Sequence, residues 1–158
     1  MATAHIRHPT GKFRAIVSED IPNLARLERE LFAQPWTEGM LTAALADYGA
    51  RHQLFEQGDV ILGYFFLTRI VDEAELHNIA VPRQFQHRGI GRYMLEKIVN
   101  QCDAEQIERL YLEVREDNTA AIHLYEKMGF ECIGRRPGYY VIEKRDALIY
   151  MRTKHELV

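Results

Sequence analysis

The stretch that decides the fold runs from Leu76 to Leu95 and reads Leu-His-Asn-Ile-Ala-Val-Pro-Arg-Gln-Phe-Gln-His-Arg-Gly-Ile-Gly-Arg-Tyr-Met-Leu. An apolar strand leads into a short basic loop with two glycines, and an amphipathic helix follows. The first amide groups of a helix have no intrahelical acceptor and carry partial positive charge, so they bind phosphate groups readily. Arg83, His87, Arg88 and Arg92 add positive charge around the loop. The stretch therefore predicts a site for an anionic ligand.

The spacing of the glycines excludes two common types of phosphate-binding loop. A Walker loop would end in Gly-Lys-Ser/Thr, which is absent, and a dinucleotide fingerprint would need a third glycine where Met94 stands. What remains is Gln86-x-x-Gly89-x-Gly91, followed by Arg92. Taken alone, this pattern is as typical of a glycine-rich turn before an ordinary helix. Other parts of the sequence are needed to distinguish an anion-binding loop from a purely structural turn.

Length and composition indicate one globular domain that spans residues 1–158, with 47% hydrophobic and 27% charged residues. A net charge of −3 argues against a general nucleic-acid binder. The longest apolar run, Val60 to Leu67, is too short to cross a bilayer, and the polar segment 1–14 lacks the apolar core of a signal peptide. We therefore expect a protein that neither spans nor binds a membrane.

The two cysteines, Cys102 and Cys132, form no close pair and fit no zinc-binding spacing. We expect both to pack as small buried hydrophobic residues, as free cysteines commonly do. Their number and spacing favour a reducing cytoplasm over an oxidising compartment.

Hydrophobic periodicity and capping residues predict the other elements. We expect strands at 13–17, 52–57, 60–70, 75–81, 110–114, 130–134 and 147–151, and helices at about 18–32, after Thr37, after Gly89 and after Asn118. Pro137-Gly138 fits the central pair of a type II turn. The predicted order, β-α-α-β-β-β-α-β-α-β-β, indicates a mixed sheet covered by helices, in the α/β (α+β) class.

Other sequence blocks accompany the glycine loop. They are Pro35-Trp36-Thr37, then Leu112-Glu113-Val114-Arg115 followed by Asn118, Ala121, Tyr125 and Gly129-Phe130, and finally Arg135-Arg136 with Tyr139-Tyr140. Together with the loop and the order of elements, they resemble the GNAT superfamily of N-acetyltransferases. Within that superfamily they resemble the bacterial ribosomal-protein-alanine N-acetyltransferases of the RimI type. The similarity covers about residues 32–151, although Pro137-Gly138 separates the arginine and tyrosine pairs in a way that the family pattern does not.

The resemblance implies the GNAT fold, acetyl-CoA as co-substrate and no metal. It implies that the backbone of Ile79, Ala80 and Val81 pairs with the pantetheine arm. It implies that Gln86, His87, Arg88, Gly89, Ile90, Gly91 and Arg92 hold the pyrophosphate and that Asn118 bonds the CoA arm. Glu113 would be the general base and Tyr125 the general acid. Trp36, Tyr139 and Tyr140 are the candidates for lining the acceptor groove.

Elementary chemistry agrees with the two catalytic roles. An α-amine with a pKa near 8 needs only a carboxylate, acting through water, to become the neutral nucleophile. A tyrosine with a pKa near 10 stays protonated and can donate to a departing thiolate. Each residue also has a structural interpretation: Trp36 as a packing residue, Asn118 as a helix cap, Tyr125 as a buried tyrosine, and Tyr139 and Tyr140 as strand residues.

Three hypotheses about function stay open at this point. The leading one is a cytoplasmic, monomeric enzyme that acetylates a protein N-terminal α-amine, namely the alanine of the eighteenth small-subunit ribosomal protein, without binding nucleic acid directly. The second keeps the transferase but makes the acceptor a lysine side chain or a small-molecule amine. The third is a non-catalytic acyl-CoA-binding sensor or interaction module, which the presence of both Glu113 and Tyr125 argues against.

Overall fold

Seven strands form one mixed β-sheet in the computed structural model, which describes residues 9–154. The strands are β1 (Lys12–Ala15), β2 (Gln53–Gln57), β3 (Val60–Ile70), β4 (Glu73–Ala80), β5 (Arg109–Arg115), β6 (Glu131–Tyr140) and β7 (Arg145–Thr153). The helices are α1 (Ile21–Leu31), α2 (Glu38–Leu45), α3 (Ile90–Ala104) and α4 (Thr119–Lys127). Short 3₁₀ turns at Ser18–Asp20 and Arg83–Phe85 precede α1 and α3. The observed order of strands and α-helices is the predicted one.

The sheet has the strand order β1-β2-β3-β4-β5-β7-β6. Its central pair, β4 and β5, is parallel, and the other pairs are antiparallel. Most of the segment 1–14, from which the absence of a signal peptide was predicted, lies outside the described residues. Within residues 9–154, no helix is both long and apolar enough to pass through a membrane.

Helices cover both faces of the sheet, and the sheet separates the core into two hydrophobic clusters. Side chains of α1 and α2 pack on one face of β3, at Tyr64 and Phe66, whereas α3 and α4 pack in the cluster that contains Phe65 and Leu67. Successive side chains of a strand point to opposite faces, so a strand covered on both faces reads as a continuous apolar run. This arrangement explains the run Val60 to Leu67 without a membrane span.

One extra residue in β4 changes which face its side chains reach. Phe66 pairs with Asn78 and Leu67 pairs with Leu76, so His77 is a β-bulge without its own partner in this ladder. Leu76 packs in the α3 and α4 cluster, but the Asn78 side chain bonds Glu28 on α1. In a regular strand, residues 76 and 78 would share a face. The bulge at His77 is therefore the reason why Asn78 reaches the other side of the sheet.

The parallel pairing of β4 with β5 is short. Its register runs from Glu73 opposite Arg109 to Leu76 opposite Leu112 and ends there. Beyond this point β4 continues along β3, and β5 continues along β7 as far as Arg115 opposite Ala147. The two central strands therefore diverge after Leu76 and Leu112, and this divergence opens the middle of the sheet.

Two local predictions were wrong. Pro137-Gly138 does not reverse the chain, because β6 continues to Tyr140, which pairs with Arg145, and residues 141–144 form the turn. Gly138 does have the positive φ of 63° that a type II turn requires, but its N–H bonds the Asp146 side chain of β7, so the pair forms a bulge within the hairpin. Cys102 is buried as expected, whereas Cys132 is exposed on β6.

Candidate active site

A cleft at the divergence of β4 and β5 collects many of the predicted cofactor residues. We call it the Tyr125 cleft, and its lining comes from β4, α3 and α4. The lining residues are Ile79, Ala80, Val81, Gly91, Leu95, Asn118, Ala121, Leu124 and Tyr125. The structure thus brings the predicted strand segment, one loop glycine and both predicted α4 residues to one place. An open strand edge beside a helix N-terminus can receive an extended ligand that carries phosphates.

The glycine loop has the backbone that such a ligand needs. Gly89 is the N-cap of α3 with φ 80°, and His87 also has a positive φ of 63°. The side chain of Gln86 donates to the carbonyl of Val81 at 2.9 Å, which ties the loop to the end of β4. A Cβ built on Gly89 would meet nothing within 4 Å, so the space beside this residue is open. The first-turn amides of α3, at Ile90, Gly91 and Arg92, follow directly.

The charged side chains of this loop have protein partners. Arg83 donates to the carbonyl of Glu30 at 2.8 Å, and Arg92 lies 3.2 Å from the carboxylate of Glu96. The Arg88 guanidinium lies over the Phe85 ring at 5.8 Å. The arginines therefore brace the loop and supply a positive field, while backbone amides are the groups best placed to contact an anion.

Asn118 is the N-cap of α4, and Tyr125 lies about two turns further along the helix. The Asn118 side chain accepts the backbone N–H of Ala121 at 3.3 Å, so it is a helix cap while it also lines the cleft. Tyr125 is 8% exposed, and burial, with a smaller contribution from Tyr140, raises the pKa of its phenol to about 12. The hydroxyl therefore stays protonated at neutral pH and is available as a hydrogen-bond donor.

Glu113 lies in a second cleft, which has a volume of about 150 Å³ and which we call the Glu113 cleft. Its lining residues are Glu75, Tyr111, Leu112, Glu113, Arg136 and Ile149. On β5 the side chains of Leu112 and Val114 belong to the α3 and α4 cluster, so Glu113 points to the opposite face of the sheet. The two residues predicted for acid–base chemistry thus border separate clefts at one divergence between strands.

The β6–β7 hairpin places cationic and phenolic groups beside Glu113. The Nε atom of Arg136 is 3.0 Å from Oε1 of Glu113, and the Arg136 guanidinium lies 5.9 Å from the centre of the Tyr139 ring. Burial, and next the Glu113 carboxylate, raises the pKa of Tyr139. Burial, and next Tyr139, raises the pKa of Tyr140 to about 12. Both predicted hairpin tyrosines are therefore near the candidate base.

Asp146 holds the bulge of this hairpin in place. One of its oxygens accepts the backbone N–H of Gly138 at 2.8 Å, and the other accepts the Arg135 guanidinium at 2.7 Å. These two hydrogen bonds, the Gly138 one first, lower the pKa of Asp146. Arg135 also bonds Glu116, in the loop that follows β5. We call these hydrogen bonds of Asp146 to Gly138 and Arg135 the Asp146 clamp. Together with the bond from Arg135 to Glu116, the clamp fixes the segment that carries Arg136 and Tyr139 relative to β5.

Trp36 lies in the α1–α2 connection and packs on the core. Its ring centre is 5.1 Å from that of Phe66, and its backbone N–H donates to Glu28. The structure therefore supports the packing interpretation of this tryptophan, and a role in acceptor binding stays a prediction. Glu28 was not among the residues predicted for the site, although its acidic side chain lies on the apolar stripe that includes Leu24 and Ala25.

Within residues 9–154, no cluster of three or more histidine, cysteine or acidic side chains has a geometry suited to a metal ion. The described site consists of backbone amides, two carboxylates, phenols and a guanidinium. Such groups can orient a thioester and an amine, accept a proton and donate one, which is the equipment that direct acyl transfer requires.

Comparison with known proteins supports the same chemistry. The family model described as Acetyltransferase (GNAT) family matches residues 21–130. The chain is 34% identical over 138 residues to the [Ribosomal protein bS18]-alanine N-acetyltransferase of Escherichia coli K12, covering 85% of this chain and 92% of that protein. It is 38% identical over 123 residues to the enzyme of the same name from Salmonella typhimurium, covering 77% of this chain and 81% of the relative.

A solved structure agrees with the sequence relatives. The crystal structure of the ribosomal-protein-S18-alanine N-acetyltransferase from Escherichia coli superposes with a TM-score of 0.87 at 28% identity, and the match covers 94% of this chain and 97% of that one. The seven-stranded mixed sheet with its four α-helices is thus the GNAT fold that the resemblance predicts. The family match and the identity to curated relatives show that the chain belongs to the GNAT family and is an acetyl-CoA-dependent N-acetyltransferase.

Proposed function

We propose that this enzyme transfers acetyl from acetyl-CoA to the N-terminal α-amine of ribosomal protein bS18, at its alanine. The observation that carries the proposal is the 34% identity, over 92% of its length, to a curated enzyme with this activity. A ribosomal acceptor would place the reaction in the cytoplasm. We take the acting species to be a monomer of one domain.

The proposed roles follow the division of the site into two clefts. Acetyl-CoA would occupy the Tyr125 cleft, with its thioester arm along Ile79–Val81, its pyrophosphate at the glycine loop and Asn118 beside the arm. The acceptor amine would enter from the Glu113 cleft, with Tyr139, Tyr140 and the Trp36 loop as its surroundings. The divergence of β4 and β5 would let the two substrates meet within the sheet.

In the reaction, the amine nitrogen attacks the thioester carbonyl carbon, and the C–S bond breaks. Glu113, acting through water, would accept the proton that the amine loses. Tyr125 would donate a hydrogen bond to the sulfur as negative charge develops there. Because the pKa of this phenol is about 12 and a thiol has one near 8.5, complete proton transfer from Tyr125 is uphill, so we expect solvent to complete protonation of the thiolate.

The first test measures CoA release from acetyl-CoA with two peptides. One has a free N-terminal alanine followed by the next residues of bS18, and the other has a blocked N-terminus and an internal lysine. We expect turnover with the first peptide alone. Turnover with the lysine peptide alone would contradict the proposal and indicate a lysine acetyltransferase. Silence with both, while acetyl-CoA still binds, would point to a small-amine acceptor or a sensor.

Variants test the acid–base roles. We expect Glu113→Gln and Tyr125→Phe each to lower kcat by about 100-fold or more, because the first loses a proton acceptor and the second loses a hydrogen-bond donor to developing charge, while the acetyl-CoA KM changes little. His123→Ala is the matched control, because His123 lies on the same helix as Tyr125 and is exposed. Wild-type kcat in both site variants would rule out these roles.

A further inference from the structure

A buried carboxylate on α1 connects three parts of the molecule. Glu28 is 1% exposed and accepts three hydrogen bonds. The donors are the Tyr64 hydroxyl at 2.6 Å, the Asn78 side-chain amide at 3.0 Å and the Trp36 backbone N–H at 3.2 Å. These groups belong to β3, to β4 and to the α1–α2 connection. One side chain thus joins elements that are distant in the sequence.

A carboxylate is an energetically unfavourable choice at this position. Burial raises the pKa of Glu28, and the three hydrogen bonds only partly oppose the effect. A hydrophobic residue, such as its neighbours Leu24 and Ala25 on the same stripe, would be buried without that cost. The carboxylate does, however, satisfy three partly or fully buried donors, which a hydrocarbon cannot do.

The residues that Glu28 contacts lie next to both substrate regions. Asn78 directly precedes Ile79, which lines the Tyr125 cleft. Trp36 belongs to the connection that is proposed to border the acceptor. Both donors approach the same oxygen, Oε1, so this atom fixes the distance between the Trp36 loop and β4.

We propose that Glu28 is a positioning residue that holds the Trp36 loop against β4 and thereby sets the affinity for the acceptor peptide. It acts through Trp36 and Asn78 without touching either substrate. The inference rests on the proposed function, because it takes the Trp36 loop as part of the acceptor groove. It adds a determinant of acceptor affinity on a helix that contributes no side chain to the lining of either cleft.

Two substitutions of similar size separate hydrogen bonding from packing. Glu28→Gln keeps a carbonyl oxygen for the Trp36 and Asn78 donors, whereas Glu28→Leu fills the space without an acceptor. We expect Glu28→Leu to raise the peptide KM about tenfold, roughly the effect of one lost hydrogen bond to a charged group. Glu28→Gln should stay within about threefold of wild type, and the acetyl-CoA KM within about twofold in both.

Tyr64→Phe is the matched control, because it removes only the hydrogen bond to Oε2 and leaves the Trp36 and Asn78 donors on Oε1 in place. It should lower the thermal midpoint while leaving the peptide KM near the wild-type value. If Glu28→Leu does not fold, Asn78→Ala replaces it, since that change keeps the carboxylate and breaks its bond to β4. The peptide KM should rise in Asn78→Ala as well.

The outcomes distinguish the two proposals. Normal wild-type turnover with an unchanged peptide KM in Glu28→Leu or Asn78→Ala would overturn the positioning role alone. An equal rise of the peptide KM in Tyr64→Phe would do the same, because it would make the effect one of general stability. Absence of wild-type turnover with the alanine peptide would overturn the proposed function and the Glu28 inference together.

Discussion

Gly91 occupies the second position of α3 and lines the Tyr125 cleft. A Cβ added there would lie 4.0 Å from Cγ2 of Val81, which is an ordinary contact, so the folded chain itself does not require glycine at this residue. Gly89, by contrast, has φ 80°, a conformation that other residues rarely adopt. Backbone conformation therefore accounts for the glycine at residue 89, whereas for Gly91 we propose close approach of acetyl-CoA as the reason.

We therefore expect Gly91→Ala to leave the thermal midpoint of the free enzyme unchanged or slightly higher, because alanine favours a helix. The same change should raise the dissociation constant of acetyl-CoA about tenfold, because the added methyl group would occupy the space through which acetyl-CoA approaches the backbone of residue 91. Calorimetric titration with acetyl-CoA measures the effect.

Gly39→Ala on α2 is the control for Gly91→Ala. A Cβ at Gly39 would also lie at an ordinary distance, 3.8 Å from the Thr37 hydroxyl, but outside the Tyr125 cleft. Equal acetyl-CoA affinity in Gly91→Ala and wild type would contradict the ligand-proximity explanation.

Single residues were predictable where a local rule applies. Thr37 was expected to cap α2, and its side chain accepts the N–H of Met40. Asn118 was expected to cap α4 and does so. Glu28 could not be assigned partners, because those partners lie 8, 36 and 50 residues away and only the folded chain brings them together.

At the scale of elements, the β6–β7 hairpin differs most from its prediction. Proline followed by glycine is a strong local turn signal, and Gly138 adopts the expected positive φ. The pairing of Tyr140 with Arg145 and the bond from Gly138 to Asp146 nevertheless extend the hairpin beyond this point. Cross-strand contacts of this kind are invisible to a rule that reads adjacent residues.

Removal of the Asp146 clamp should disturb acceptor binding. In Asp146→Ala the bulge loses its bonds to Gly138 and Arg135, and Arg136 and Tyr139 lose their fixed position beside Glu113. We expect kcat/KM for the alanine peptide to fall about tenfold, with the acetyl-CoA KM within about twofold of wild type.

Steady-state kinetics with each substrate varied in turn measures the effect of Asp146→Ala. Glu131→Ala, at the other end of β6 and exposed, should behave like wild type. A loss of acetyl-CoA affinity that matches the loss of peptide activity would show that the clamp supports the sheet as a whole.

At the scale of the whole molecule, we expect His52 to make the stability of the fold depend on pH. It is 6% exposed and its ring packs at a tilt against Phe66. Its Nε2 atom lies 2.9 Å from the carbonyl of Ala44, and its Nδ1 accepts the N–H of Leu67 at 3.0 Å. These contacts require the neutral ring with the proton on Nε2. Burial above all lowers the pKa of His52.

The lowered pKa fixes the sign of the effect. Below the ordinary histidine pKa of about 6.5, the unfolded state binds a proton that the folded state excludes, so stability falls as pH falls. The contribution is complete above about pH 6.5 and is lost as the pH falls through the pKa of the folded state. Burial raises the pKa of Glu28, and this change acts in the opposite direction at low pH.

Urea unfolding between about pH 5 and 7.5 tests this prediction. The free energy of unfolding of the wild type should decrease toward the acid end, and the slope should be smaller in His52→Gln, which cannot titrate. Identical slopes in the two proteins would assign the pH dependence to other groups.

The overall topology was predictable only in part. Periodicity gave the elements and their order, and the GNAT resemblance gave the mixed sheet. The position of β6 outside β7 and the end of the β4–β5 register depend on contacts between distant segments. Alternation along β5 places Glu113 on the face opposite to Leu112 and Val114, but the opening beside each face of the sheet depends on where the β4–β5 register ends.

The extra residue at His77 reverses the facing of the side chains that follow it in β4. Each of these side chains lies on the face opposite to the one that simple alternation assigns. Asn78 therefore bonds Glu28, and Ile79 packs against the α3 and α4 cluster. Loss or gain of one residue here would exchange these two sides in a single event. Among relatives of this chain, substitutions at the exposed His77 should therefore be frequent, and changes of length between Leu76 and Asn78 should be absent.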